Sequence, residues 1–121
     1  MDKRQQREEF RKRIKRFVLD VIAFVDDLPK TQSCKIIGNQ LLRSGTSIGA
    51  NHFEAIAASS KKDFINFFGY SLKSANETSF WLDILIDSNK CDKAAGERLL
   101  KEAKEIANIL AASIITMKGK Q

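Results

Sequence analysis

The sequence holds one histidine, one proline, one tyrosine, one tryptophan, two cysteines and three valines in 121 residues. Each shortage excludes something. A single histidine, His52, removes histidine-rich metal sites and leaves little for Ser-His-Asp or Cys-His catalysis. Cys34 and Cys91 lie far apart and form no CxxC pair, so they read as reduced, passive thiols of a cytoplasmic protein. Val18, Val21 and Val25 are the only valines, and no segment alternates apolar and polar residues for long, so strand signals are weak. Glycine and proline total seven residues, too few for a low-complexity or disordered chain. The longest run without a charge, Ile106 to Met117, is 12 residues. A bilayer span needs about 18, so no membrane role is expected. The opening stretch, MDKRQQREEFRKR, has no apolar core of the signal-peptide kind. There is also no glycine-rich phosphate loop, nucleophile elbow or metal-ligand cluster, so neither a cofactor nor a metal is expected.

What is present is helical periodicity. Apolar residues make up 43% of the chain and charged residues 30%, enough for one domain with a core that needs no staples. Phe10, Ile14, Phe17, Val21, Phe24 and Leu28 recur at steps of four and three, the seam of a helix over about residues 4–28. Pro29 stops it. Thr31 is a plausible N-cap for a second helix over 31–58, with Ile37, Leu41, Ser44, Ile48, Asn51, Ala55 and Ala58 on its seam. Gly45 and Gly49 share a face of that helix and allow another helix to approach closely. Ser60 and Asp63 resemble a capping box for a third helix over 60–87, with the seam Phe64, Phe68, Ser71, Ala75, Thr78, Leu82 and Leu85. A fourth helix, over 92–117, carries Leu99, Ala103, Ile106, Leu110, Ser113 and Met117, and residues 118–121 are expected to fray. Each helix is about 37 Å long. The short connections predict an all-α, antiparallel up-down-up-down four-helix bundle.

The second and third helices each hold a long charge-free stretch, Ser44 to Phe53 and Phe64 to Leu72. A bundle helix that is apolar or small around most of its circumference is covered on more than one side. This predicts a homo-oligomer with Ile48, Phe53, Phe67, Tyr70 and Trp81 in the interface. The aromatics Phe64, Phe67, Phe68, Tyr70, Phe80 and Trp81 read as core or interface in preference to base-stacking platforms.

Ser44, Ser47, Asn51 and Glu54 share a face of the second helix, and Ser71, Ser74, Glu77 and Thr78 share one of the third. Together with Arg43, these rows read as a structural polar network. The competing reading pairs Glu54 and Glu77 as acid–base groups or metal ligands. A di-metal bundle uses Glu-x-x-His motifs, whereas His52 is two residues from Glu54 and points elsewhere. The chain therefore reads as non-enzymatic.

Arg43-Ser-x-x-Ser-Ile-x-x-Asn51-x-x-Glu54, followed by Lys62-x-Phe64 and Ser74-x-x-Glu77, resembles the 23S rRNA-intervening sequence protein family over essentially the whole chain. The resemblance implies a small bacterial four-helix bundle that assembles as a ring-like homopentamer. It also implies kinship with the accessory variability proteins of diversity-generating retroelements, basic bundles that bind a reverse transcriptase and nucleic acid. The usual Glu-Gly after the Asn is replaced here by Glu54-Ala55.

Charge completes the reading. Lys and Arg number 21 against 15 Asp and Glu, a net +6. Such an excess serves solubility or an anionic partner. Eight of the basic residues fall in the first 16 positions. Up-down topology adds Lys61, Lys62, Lys118 and Lys120 to the same end, and puts Asp20, Asp26, Asp27, Asp83, Asp87, Asp92 and Glu97 at the other. Positive charge at a helix start opposes the macrodipole, so the cluster does not serve helix stability. It predicts contacts to RNA or DNA phosphates through Arg4, Arg7, Arg11, Lys12, Lys15, Arg16, Lys61 and Lys62, without base readout. The alternative is a protein-interaction scaffold for a nucleic-acid enzyme.

Overall fold

The computed structural model describes residues 1–119; Lys120 and Gln121, and with them the expectations placed on residue 120, lie outside the described residues. Four helices are present: α1 (Lys3–Asp26), α2 (Gln32–Ile56), α3 (Lys61–Asp87) and α4 (Lys93–Gly119). The described residues contain no strand. The helices pack as a bundle in which α2 lies against α1 and α3, and α4 against α3 and α1, with α1·α4 the sparsest contact.

Capping chemistry sets the boundaries. Asp2 and Gln5 form a reciprocal capping box that starts α1 one residue before the periodicity predicts. The Thr31 hydroxyl accepts from the Cys34 amide at 3.2 Å, and the Ser60 hydroxyl from the Asp63 amide at 3.1 Å. Asp92 accepts from the Ala95 amide at 3.1 Å at the head of α4. The end of α3 is a Schellman turn. Asn89 takes a φ of 56°, the Lys90 amide donates to the Leu85 carbonyl, and the Asn89 amide donates to the Ile86 carbonyl. α1 ends at Asp26 instead of Leu28, because Pro29 bars its predecessor from helical geometry. Leu28 nevertheless stays buried. α2 is shorter than expected at both ends, and α4 runs two residues further, to Gly119.

The predicted seams form the core. Phe17, Val21, Leu41, Ile48, Leu82, Leu85, Ile106 and Leu110 are essentially inaccessible to solvent. Burying each large apolar side chain contributes about 1.5–3 kcal/mol. Ile48 is fully buried within the chain itself, so it cannot face a neighbouring subunit. Its place on the α2 seam between Leu41 and Ala55 turns it inward. Gly45 lets α1 approach closely: a Cβ there would sit 2.9 Å from Val21 Cγ1.

The buried polar groups on α2 and α3 are Ser44, His52, Ser71 and Thr78. The Thr78 and Ser44 hydroxyls share a hydrogen bond of 2.9 Å, and the Ser71 hydroxyl donates to the Ile48 carbonyl at 2.8 Å. These bonds tie α2 to α3. The rest of the predicted network is not part of this tie. Asn51 donates to the Ser47 carbonyl, and the Ser74 carbonyl accepts from Thr78, each within one helix. Arg43, Glu54 and Glu77 are exposed, as a carboxylate or guanidinium without a buried partner should be.

Candidate nucleic-acid interface

The starts of α1 and α3 and the end of α2 meet in one aromatic cluster. Phe10 stands edge-on to His52 with centroids 5.3 Å apart. His52 leans on Phe68 at 5.5 Å, and Phe68 stacks on Phe64 at 4.6 Å. This packing brings the basic start of α1 and the Lys61-Lys62 start of α3 to a common end of the bundle. Between α1 and α4, toward the other end, a cleft of about 1060 Å³ gathers Asp20, Asp26, Asp27, Asp92 and Glu102 beside Arg16, Lys90 and Arg98. Acidic residues outnumber basic ones in this cleft, whereas the starts of α1 and α3 are rich in exposed Lys and Arg.

All eight predicted phosphate-binding residues are exposed, but they are not equivalent. Arg11 is held by Glu8 one turn back; this hydrogen bond lowers the Glu8 pKa and raises that of Arg11. Lys12 sits 3.8 Å from Glu9. Arg11 and Lys15 line the groove between α1 and α2, whereas Arg16 faces the α1–α4 cleft on the other side of α1. Arg4, Arg7 and Lys62 make no ion pair within 4 Å among the described residues, and Lys61 is exposed beside Lys62.

Arg13 has a different task, which local spacing does not reveal. Its guanidinium makes a two-pronged bond to Glu102 at 2.6 and 2.7 Å and reaches Glu105 at 2.8 Å. It fastens α1 to α4, the neighbouring helices that touch least, and its pKa is raised by these carboxylates, with Glu102 the largest cause. The groups are about one-third exposed, so the pair contributes about 1 kcal/mol.

His52 is not placed for catalysis. It is buried between two phenyl rings, and burial, followed by the nearby Arg11 charge, pushes its pKa below the ordinary value. The unfolded chain then binds a proton more readily than the folded one, so stability falls as pH drops through the ordinary histidine range. We expect His52→Leu to flatten the fall in melting temperature between pH 7.5 and 5.5, measured by circular dichroism. An equal acid response in both proteins contradicts this. Glu77, on the α3 surface, accepts from the Trp81 indole at 3.1 Å. Among the described residues, no group of three His, Cys, Asp or Glu side chains gathers as a metal site, and no helix is long and apolar enough to cross a membrane.

These features define a class: an all-α four-helix bundle with basic helix starts and a sparsely polar, hydrogen-bonded interior. The family model for the 23S rRNA-intervening sequence protein matches residues 6–112, and the chain belongs to that family. Among solved structures, the chain is similar to a protein of unknown function from the S23 ribosomal protein family of Bacteroides thetaiotaomicron VPI-5482. The two are 35% identical, with a TM-score of 0.81 over 87% of this chain and 97% of that one. No curated protein matches the chain significantly.

Proposed function

We propose that this protein is a non-enzymatic, homo-oligomeric four-helix bundle of the cytoplasm that binds RNA or DNA through its basic end, whatever the sequence. The bundle alternates up and down. Contacts such as Ser71 with Ile48 and Thr78 with Ser44, in which rising numbers on α3 meet falling numbers on α2, support that arrangement.

The observation that carries the reading is the exposed Arg4, Arg7, Lys61 and Lys62 cluster at two helix starts. There, positive charge works against the macrodipole. The nearest rings, Phe10, Phe64 and Phe68, are packed on one another and on His52. The surface therefore offers charge rather than base stacking, which favours backbone contact.

Exposed Phe53 and Tyr70, half-buried Phe67 against Tyr70, and half-buried Trp81 further along α3 supply apolar surface for self-association. The ring of five that the family resemblance implies would repeat the basic end around one axis. Fluorescence anisotropy with labelled RNA and DNA of unrelated sequence tests the reading. Binding at low salt that weakens steeply as salt rises supports it, and no binding to either at low salt overturns it.

A further inference from the structure

Among the exposed apolar features outside the nucleic-acid reading, two carry charge of opposite sign beside them. The first is the groove between α1 and α2, a cleft of about 390 Å³ floored by Val18 and Gly49. Phe53 and Ile56 stand on its wall, 70% and 49% exposed, and Arg11 and Lys15 line the α1 side. The second is the outer face of α3. Phe80 is 54% exposed and is braced edge-on against Trp81 at 4.9 Å. Asp83 and Asp87, three and seven residues on, share its helical face and are exposed.

The first feature is an apolar cleft with cations beside it; the second is an aromatic knob with carboxylates beside it. They cannot meet within one chain, because α3 touches α2 and α4 but lies diagonally across from α1. We propose that they meet between copies, with Phe80 of one subunit seated in the α1–α2 cleft of the next, and Asp83 and Asp87 facing Arg11 and Lys15. The contact is head-to-tail: every copy offers one cleft and one knob, so successive copies extend the assembly. Apolar burial supplies the affinity, and the opposite charges set orientation and register. The acidic end of one bundle then reaches toward the basic end of its neighbour, while Arg4, Arg7 and Lys62 stay outside the contact. This inference rests on the self-association proposed above and assigns it a donor and an acceptor.

Complementary lesions test it. Phe53→Asp spoils the cleft and leaves the knob; Phe80→Arg does the reverse. Both positions are exposed, so both variants should fold, with wild-type helicity by circular dichroism as the check. Light scattering should give a multiple of 13.7 kDa for the wild type and 13.7 kDa for each variant alone. An equimolar mixture should double that mass, because one intact knob still finds one intact cleft. Variants that keep the wild-type mass overturn the assigned contact while self-association stands. Monomeric variants whose mixture stays monomeric show that the two faces do not meet each other. A monomeric wild type overturns self-association itself.

Discussion

Reversing three charges at the basic end, Arg4→Glu, Arg7→Glu and Lys62→Glu together, is expected to weaken binding to RNA and DNA on the order of 100-fold at low salt. None of the three makes an ion pair within 4 Å among the described residues, and all are exposed. Removing them takes nothing from the core, so the melting temperature should hold. Acidic side chains also suit a helix start, so the helices should gain slightly. Arg13 is the informative contrast. Its charge is already engaged by Glu102 and Glu105, so Arg13→Ala should cost stability and leave binding nearly unchanged. Equal binding by the triple variant and the wild type would move the interface away from this end.

The second large effect concerns the α1–α2 contact. Gly45→Ala should destabilise the fold by about 1–2 kcal/mol, although alanine is the better helix former by about 1 kcal/mol. The added methyl would lie 2.9 Å from Val21 Cγ1. Val21 is wholly buried and has no room to swing away. Relief must come from Val21 itself, so Val21→Ala in the Gly45→Ala background should recover part of the loss. Gly69→Ala is the control: nothing lies within 4 Å of its Cβ position, and the variant should be stabilised by about 0.5–1 kcal/mol. Thermal unfolding followed by circular dichroism separates the three. A Gly45→Ala protein as stable as wild type would show that the helices can part without cost.

The seams were legible because a 4, 3 spacing admits one solution: Phe17, Leu41, Leu82 and Ile106 had to face inward. The caps at Thr31 and Ser60 were legible because a hydroxyl just before a helical run has an amide to serve. Depth within a face was not. Ser44, Ser47, Asn51 and Glu54 share a side of α2, yet only Ser44 is buried, and Glu54 is exposed. Spacing places residues on a side, but the neighbouring helix decides which of them it covers. The same limit misplaced Ile48. Its charge-free neighbourhood suggested a subunit contact, while its seam position placed it in the core. Residue partners distant in the chain were equally hidden. The Arg13–Glu102 pair spans 89 positions, and the ring cage around His52 draws on three helices. Phe80 looked like any off-seam aromatic until the bundle left it facing outward beside exposed carboxylates.

The most direct test of the central claim is the salt dependence of wild-type binding for two unrelated oligonucleotides of equal length. Phosphate contact through several exposed cations predicts a slope of log affinity on log salt of roughly −2 or steeper, the same for both sequences. A slope near zero, or affinities that differ more than about tenfold between the two sequences, would contradict it.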